Sequence, residues 1–180
     1  MPIEAVLFDL FDTLLLVESD EVYYERCLRK MYDFLVENGV SAQFDDFTRV
    51  YFEVRDRFYS ESRATLKEPH FSVRVSQVLQ KLGYSHGIAD PVAAGATKAF
   101  AKEFTNCVRL DRNAVNVLQK LHDRYKLGLV SNFSIPECGR DLLERFGLRE
   151  YFDVVVISGE INQRKPSPKI FRRALKSLGV

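Results

Sequence analysis

A short apolar run, Ala5-Val6-Leu7-Phe8, ends abruptly in Asp9. An unbroken run of this kind is too short for a helix and suits a strand covered on both faces, as in a parallel sheet. Two more runs of the same type follow far along the chain. Leu127-Gly128-Leu129-Val130 leads into Ser131-Asn132, and Val154-Val155-Val156-Ile157 leads into Ser158-Gly159-Glu160. Each ends in polar residues, and parallel α/β sheets gather their chemistry at the carboxyl ends of strands.

Helical signals separate the later strands. Asp111 is placed to cap a helix through Val115, Leu118 and Leu121, and Pro136 suits the first position of a second, which Gly147 stops. Ser167-Pro168 opens a third, with Ile170, Phe171, Ala174, Leu175 and Leu178 at helical spacing and Gly179 after its end. Alternating strands and helices with short connections imply an α/β fold with a doubly wound parallel, Rossmann-like sheet.

Residues 17–108 read differently. Apolar stripes at Val22, Leu28, Met31 and Leu35, at Phe47, Val50, Tyr51, Val54 and Phe58, at Val75, Val78 and Leu79, and at Val92, Ala96, Phe100 and Phe104 have helical spacing. No buried strand is expected there. The expected organisation is an α/β core of residues 1–16 and 109–180, interrupted by an all-helical domain over 17–108. Lys67-Glu68-Pro69-His70 reads as a turn within the helical lobe. Tyr23, Tyr24, Arg26, Arg63 and Arg74 read first as bundle faces with solvated charges, and second as groups that select a substrate.

Bulk properties exclude several classes. Twenty-six basic against 25 acidic residues give a net charge of +1, with no basic excess for nucleic acid. No membrane span or signal peptide is expected, because Asp9 and Asp12 break the N-terminal apolar stretch. Cys27, Cys107 and Cys138 are odd in number and far apart, which argues for reduced thiols and a cytoplasmic protein. His70, His86 and His122 are isolated and lack metal-ligand spacing.

Three fragments carry the chemistry: Phe8-Asp9-Leu10-Phe11-Asp12-Thr13-Leu14, Val130-Ser131-Asn132, and Arg164-Lys165-Pro166-Ser167-Pro168. Asp9 is placed to attack an electrophilic centre and form an aspartyl intermediate. Thr13, Ser131 and Asn132 are candidate hydrogen-bonding partners of the transferring group, and Lys165 a candidate to neutralise its charge.

With these fragments in this order, the chain resembles the haloacid dehalogenase-like hydrolases. The resemblance implies an aspartate nucleophile at Asp9, a hydroxyl at Ser131, a lysine at Lys165, and a helical cap inserted between the first and second motifs. It implies a small anionic substrate, foremost a phosphate monoester. In the phosphatases of that superfamily Mg²⁺ assists, and here Asp9 and the Phe11 carbonyl would be its ligands, forming a weak site. Dehalogenases of the superfamily need no metal.

The chain departs from the pattern in two places. Phosphatases of the superfamily carry a second aspartate two residues after the nucleophile, as general acid and base. Phe11 stands there instead, and Asp12 replaces it only if the loop curls. The superfamily's 2-haloacid dehalogenases resemble this chain in carrying an aromatic at this position, so that activity is the alternative. The superfamily's final acidic motif and its strand, expected beside the first strand, are absent from the sequence. A fragment of a longer protein, or a sheet completed by another chain such as a second copy, is therefore expected. A non-catalytic domain is a further alternative, as is a phosphoacceptor receiver domain, which the position of Asp9 on the first strand disfavours.

Overall fold

The computed structural model describes residues 3–84 and 90–180, so His86 lies outside the described residues. Contacts divide the chain into two compact units. One comprises Met1–Val17, Leu66–Glu68 and Val108–Val180; the other comprises Glu18–Thr65 and Pro69–Cys107.

In the first unit, β1 (Ala5–Phe8) is followed by β2 (Leu15–Val17). The second unit holds α1 (Asp20–Glu37), α2 (Phe44–Thr65), α3 (Phe71–Lys81) and α4 (Pro91–Phe104). The chain then returns through β3 (Val108–Leu110), α5 (Ala114–His122), β4 (Lys126–Ser131), α6 (Pro136–Arg145), β5 (Val154–Ile157), α7 (Ser158–Ile161) and α8 (Pro168–Leu178).

The sheet of the first unit has the order β1-β4-β5, and both pairings are parallel. The fold is the expected open, parallel α/β type. The central strand is the most buried: Leu127, Leu129, Val130 and Ser131 of β4 are shielded from solvent. β1 is less covered than its apolar run alone predicts, and it carries the open edge expected beside it. All four of its residues are only partly buried, because among the described residues β1 pairs with β4 on one side alone.

α8 shows how the sequence builds a layer. Ser167 caps it by accepting the Lys169 N–H, Pro168 occupies its first turn, and Gly179 ends it with φ 69°. Its apolar face sets Ile170 and Ala174 against Val130 and Val156 of the sheet. Burial of such an isoleucine or valine contributes ~1.5–3 kcal/mol.

Three local readings are corrected. Leu15–Val17 and Val108–Leu110 form an antiparallel ribbon that the apolar runs did not reveal. Asp111 does not cap α5 directly: its carboxylate accepts the Asn113 N–H and its carbonyl the Ala114 N–H, making a turn ahead of the helix. Residues Leu66–Glu68 belong to the α/β unit, where Leu66 accepts the Arg164 N–H at 3.0 Å and Glu68 pairs with Arg164 at 3.4 Å.

The helical unit packs an aromatic interior. Tyr51 and Phe47 are fully buried, and Phe71 and Phe100 lie 4.8 Å apart between ring centroids. His70 caps α3 by accepting the Ser72 N–H, which gives it a structural role. No described helix is long and apolar enough to cross a membrane.

Candidate active site

Asp9 stands one residue past β1, where the strand's last peptide hands over to a tight loop. Its Oδ1 accepts the N–H of Leu10 at 2.8 Å, which holds the carboxylate against its own backbone. The loop beyond curls back on itself. Leu10 O accepts the N–H groups of both Leu14 and Leu15, and Asp12, with φ 55°, donates its N–H to Leu15 O at 2.7 Å. A positive φ is tolerated by aspartate better than by most residues. The loop thus curls at Asp12, and Asp12 and Thr13 are both exposed. Phe11 packs its ring 4.7 Å from that of Phe133.

Lys165 comes from the loop before α8. Its Nζ lies 2.6 Å from Asp9 Oδ2. The loop is tied down from β4: Asn132 Oδ1 accepts the Lys165 N–H at 2.7 Å, and Asn132 Nδ2 donates to the Lys165 carbonyl at 3.2 Å. The Lys165-Pro166 peptide is cis. The Asn132 amide, a candidate partner of the transferring group, grips the main chain of the lysine with both its ends. With Asp9 44% exposed the pair is screened by water, so it contributes only ~0–1 kcal/mol to stability. Its consequence is placement.

Ser131, the last residue of β4, is fully buried and its Oγ has no hydrogen-bond partner. An unpaired buried hydroxyl costs free energy unless a ligand or water satisfies it. Beside it, Ser158 Oγ accepts the Phe133 N–H at 2.8 Å, and Gly159 donates its N–H to the Phe133 carbonyl at 3.1 Å. Ser158 and Gly159 thus fix the turn that carries Asn132. Their position at a strand end was the only signal in the sequence for this task. Glu160, next in line, is held by Arg140 at 2.6 Å.

The donors expected for Mg²⁺ do not make a fitting set. Asp9 offers one carboxylate with both oxygens already engaged, Phe11 offers a carbonyl, and no group of three His, Cys, Asp or Glu among the described residues is arranged to hold a metal ion. A small hard cation asks for near-octahedral oxygen ligands.

A sequence profile for haloacid dehalogenase-like hydrolases matches residues 3–180. The chain belongs to the haloacid dehalogenase-like hydrolases. Among curated relatives, the pyrimidine 5'-nucleotidase YjjG of Escherichia coli is 45% identical over 67 residues, which is 37% of this chain and only 29% of that protein. The glyceraldehyde 3-phosphate phosphatase of Methanopyrus kandleri is 28% identical across 99% of this chain and 71% of its own length. Among solved structures, a 2-haloacid dehalogenase from Pseudomonas syringae aligns over 99% of this chain and 74% of its own, with TM-score 0.70 and 22% identity, a likeness of fold. A HAD phosphatase from Thermococcus onnurineus aligns over 99% of this chain and 73% of its own, with TM-score 0.57 and 26% identity. As a haloacid dehalogenase-like hydrolase, the chain carries its paired aspartate and lysine at two loops of the α/β unit.

Proposed function

We propose that this hydrolase cleaves a small phosphate monoester with Asp9 as nucleophile. The observation that carries the reading is the ion pair between Asp9 Oδ2 and Lys165 Nζ at 2.6 Å, locked by Asn132. Relatives that align over 99% of this chain and are named as phosphatases support the choice of phosphate.

The chemistry follows from the groups present. The Asp9 carboxylate attacks phosphorus, and the bond from phosphorus to the ester oxygen breaks, leaving an aspartyl phosphate and an alkoxide. The Lys165 ammonium offsets charge on the phosphoryl oxygens, and the unpaired Ser131 hydroxyl is available to donate to one of them. The leaving oxygen needs a proton, which Phe11 cannot supply and the exposed Asp12 carboxyl can. Water then attacks phosphorus and gives a proton to the Asp12 carboxylate, the bond from phosphorus to the Asp9 oxygen breaks, and inorganic phosphate leaves with the Asp9 carboxylate restored. No step here runs through Mg²⁺, since the described donors do not fit it.

A 2-haloacid dehalogenase activity is the second reading, and Phe11 favours it. A halide leaves without protonation, and a ring packed on Phe133 is compatible with an apolar carbon skeleton. Assay of the full chain on alkyl phosphates, aryl phosphates and 2-chloropropionate, with and without Mg²⁺, separates the two. Release of phosphate without halide is expected. Release of halide alone establishes the second reading, and turnover of neither contradicts both.

A further inference from the structure

Among the described residues of the helical unit, a buried cation has no carboxylate paired with it. Arg74 of α3 is 5% exposed, although the sequence reads it as a solvated surface charge. Its largest electrostatic neighbours are the hydroxyls of Tyr51, Tyr59 and Tyr24, and none of these is a carboxylate. The guanidinium carbon lies 5.0 Å from the Phe71 ring centroid, 5.2 Å from Tyr59 and 5.8 Å from Phe58. Such rings attract a cation and offset part of its lost hydration. They do not satisfy its N–H groups.

Two polar atoms in this cluster are left over. Arg74 Nε and the Tyr51 hydroxyl are both buried, and neither has a hydrogen-bond partner. Tyr51 and Arg74 lie close enough to interact as a charge and a polar partner, but the contact falls short of a geometry that satisfies either Arg74 Nε or the Tyr51 hydroxyl. Burial pushes the Tyr51 phenol up to about 12, so near neutrality it remains an O–H donor. Tyr24 and Tyr59 complete the cluster, their hydroxyls 2.8 Å apart. The other nearby cation, Arg55, is already paired with Asp56 at 2.6 Å. Tyr59 also lines an open pocket of about 530 Å³ with Asp56, Ser60, Arg63 and Ala64, so one side of the cluster meets solvent.

We propose that Arg74, Tyr51 and the Tyr24–Tyr59 pair form a binding site for a small oxyanion, of the carboxylate or phosphate class, within the helical unit. A water molecule would satisfy the leftover donors but leave the buried charge unpaired, whereas an oxyanion does both. The site is independent of Asp9 chemistry and stands whether or not the chain turns over phosphate esters.

The test reads Arg74 itself. The Arg74 Nε–H resonance of the full chain, assigned by its loss in Arg74→Lys, is followed by nitrogen-edited NMR during titration with inorganic phosphate, with acetate, and with sodium chloride at equal ionic strength. A saturable shift with phosphate or acetate, absent with chloride, is expected, and the oxyanion that gives it names the class. In Tyr51→Phe the apparent affinity should fall about tenfold, since one hydrogen bond to a charged group is lost. An Arg74 resonance unmoved by either oxyanion, or moved equally by chloride, overturns the proposal. So does an affinity unchanged in Tyr51→Phe.

Discussion

Lys165 Nζ sits 2.6 Å from Asp9 Oδ2, although one residue follows the first strand and the other precedes the last helix. The parallel order β1-β4-β5 brings these distant loops to the same sheet end. Replacing Lys165 by Ala should lower kcat by ~10²–10³, the usual loss when one charge-stabilising donor is removed. Thermal stability should hardly change, because the half-exposed pair contributes ~0–1 kcal/mol. Steady-state kinetics and a thermal melt on the same preparation check both halves.

Asn132 acts on Lys165 through two main-chain hydrogen bonds, of 2.7 and 3.2 Å. Asn132→Ala leaves a partly buried N–H and carbonyl unsatisfied and should cost ~1–3 kcal/mol. It should reduce kcat more than it raises KM, since the loosened loop mainly misplaces the ammonium. Asn132→Asp keeps an acceptor for the Lys165 N–H and should retain more stability than Asn132→Ala. Chemical denaturation of both variants gives the comparison.

Gly159 has no room for a side chain. A Cβ there would lie 2.9 Å from the Phe133 carbonyl oxygen and 3.0 Å from Pro136 Cδ. The obstacle is backbone, which cannot swing aside. Gly159→Ala should therefore destabilise by ~1–3 kcal/mol. It should also depress activity by displacing the turn that carries Asn132. An urea unfolding midpoint unchanged from wild type would show that the turn yields without cost.

Stability should fall steeply in alkali. Burial raises the Cys138 thiol from its ordinary 9.0 to about 12 and the Tyr51 phenol from 10.0 to about 12. The unfolded chain therefore releases these protons first, and the folded state binds more of them across this interval. Unfolding free energy then declines as pH rises. The contribution of Cys138 is intact below pH 9.0 and is lost progressively as pH climbs to about 12. Denaturant melts across this window should show the decline, and Cys138→Ala should flatten part of it.

The sequence made much of this architecture legible because the relevant signals are local. Ala5–Phe8, Leu127–Val130 and Val154–Ile157 announce strands by composition alone, and Ser167-Pro168 and Gly179 bracket α8 by their backbone preferences. The ribbon of Leu15–Val17 and Val108–Leu110 escaped notice because each strand has three residues and its partner lies across the whole helical unit. Asp9, Ser131 and Lys165 stood out by position. The hold of Asn132 on Lys165 did not, since it depends on how two loops meet in space. Arg74 looked like a surface charge because helical periodicity marks apolar faces and cannot foretell a cation enclosed by aromatic rings.

The most direct test of the Asp9 assignment is a rapid acid quench of the full chain during turnover of an aryl phosphate, followed by peptide mass spectrometry. One phosphoryl group is expected on the peptide that carries Asp9, and neither that adduct nor turnover should survive in Asp9→Asn. Wild-type turnover by Asp9→Asn, or a phosphoryl group found on another residue, would contradict Asp9 as the nucleophile.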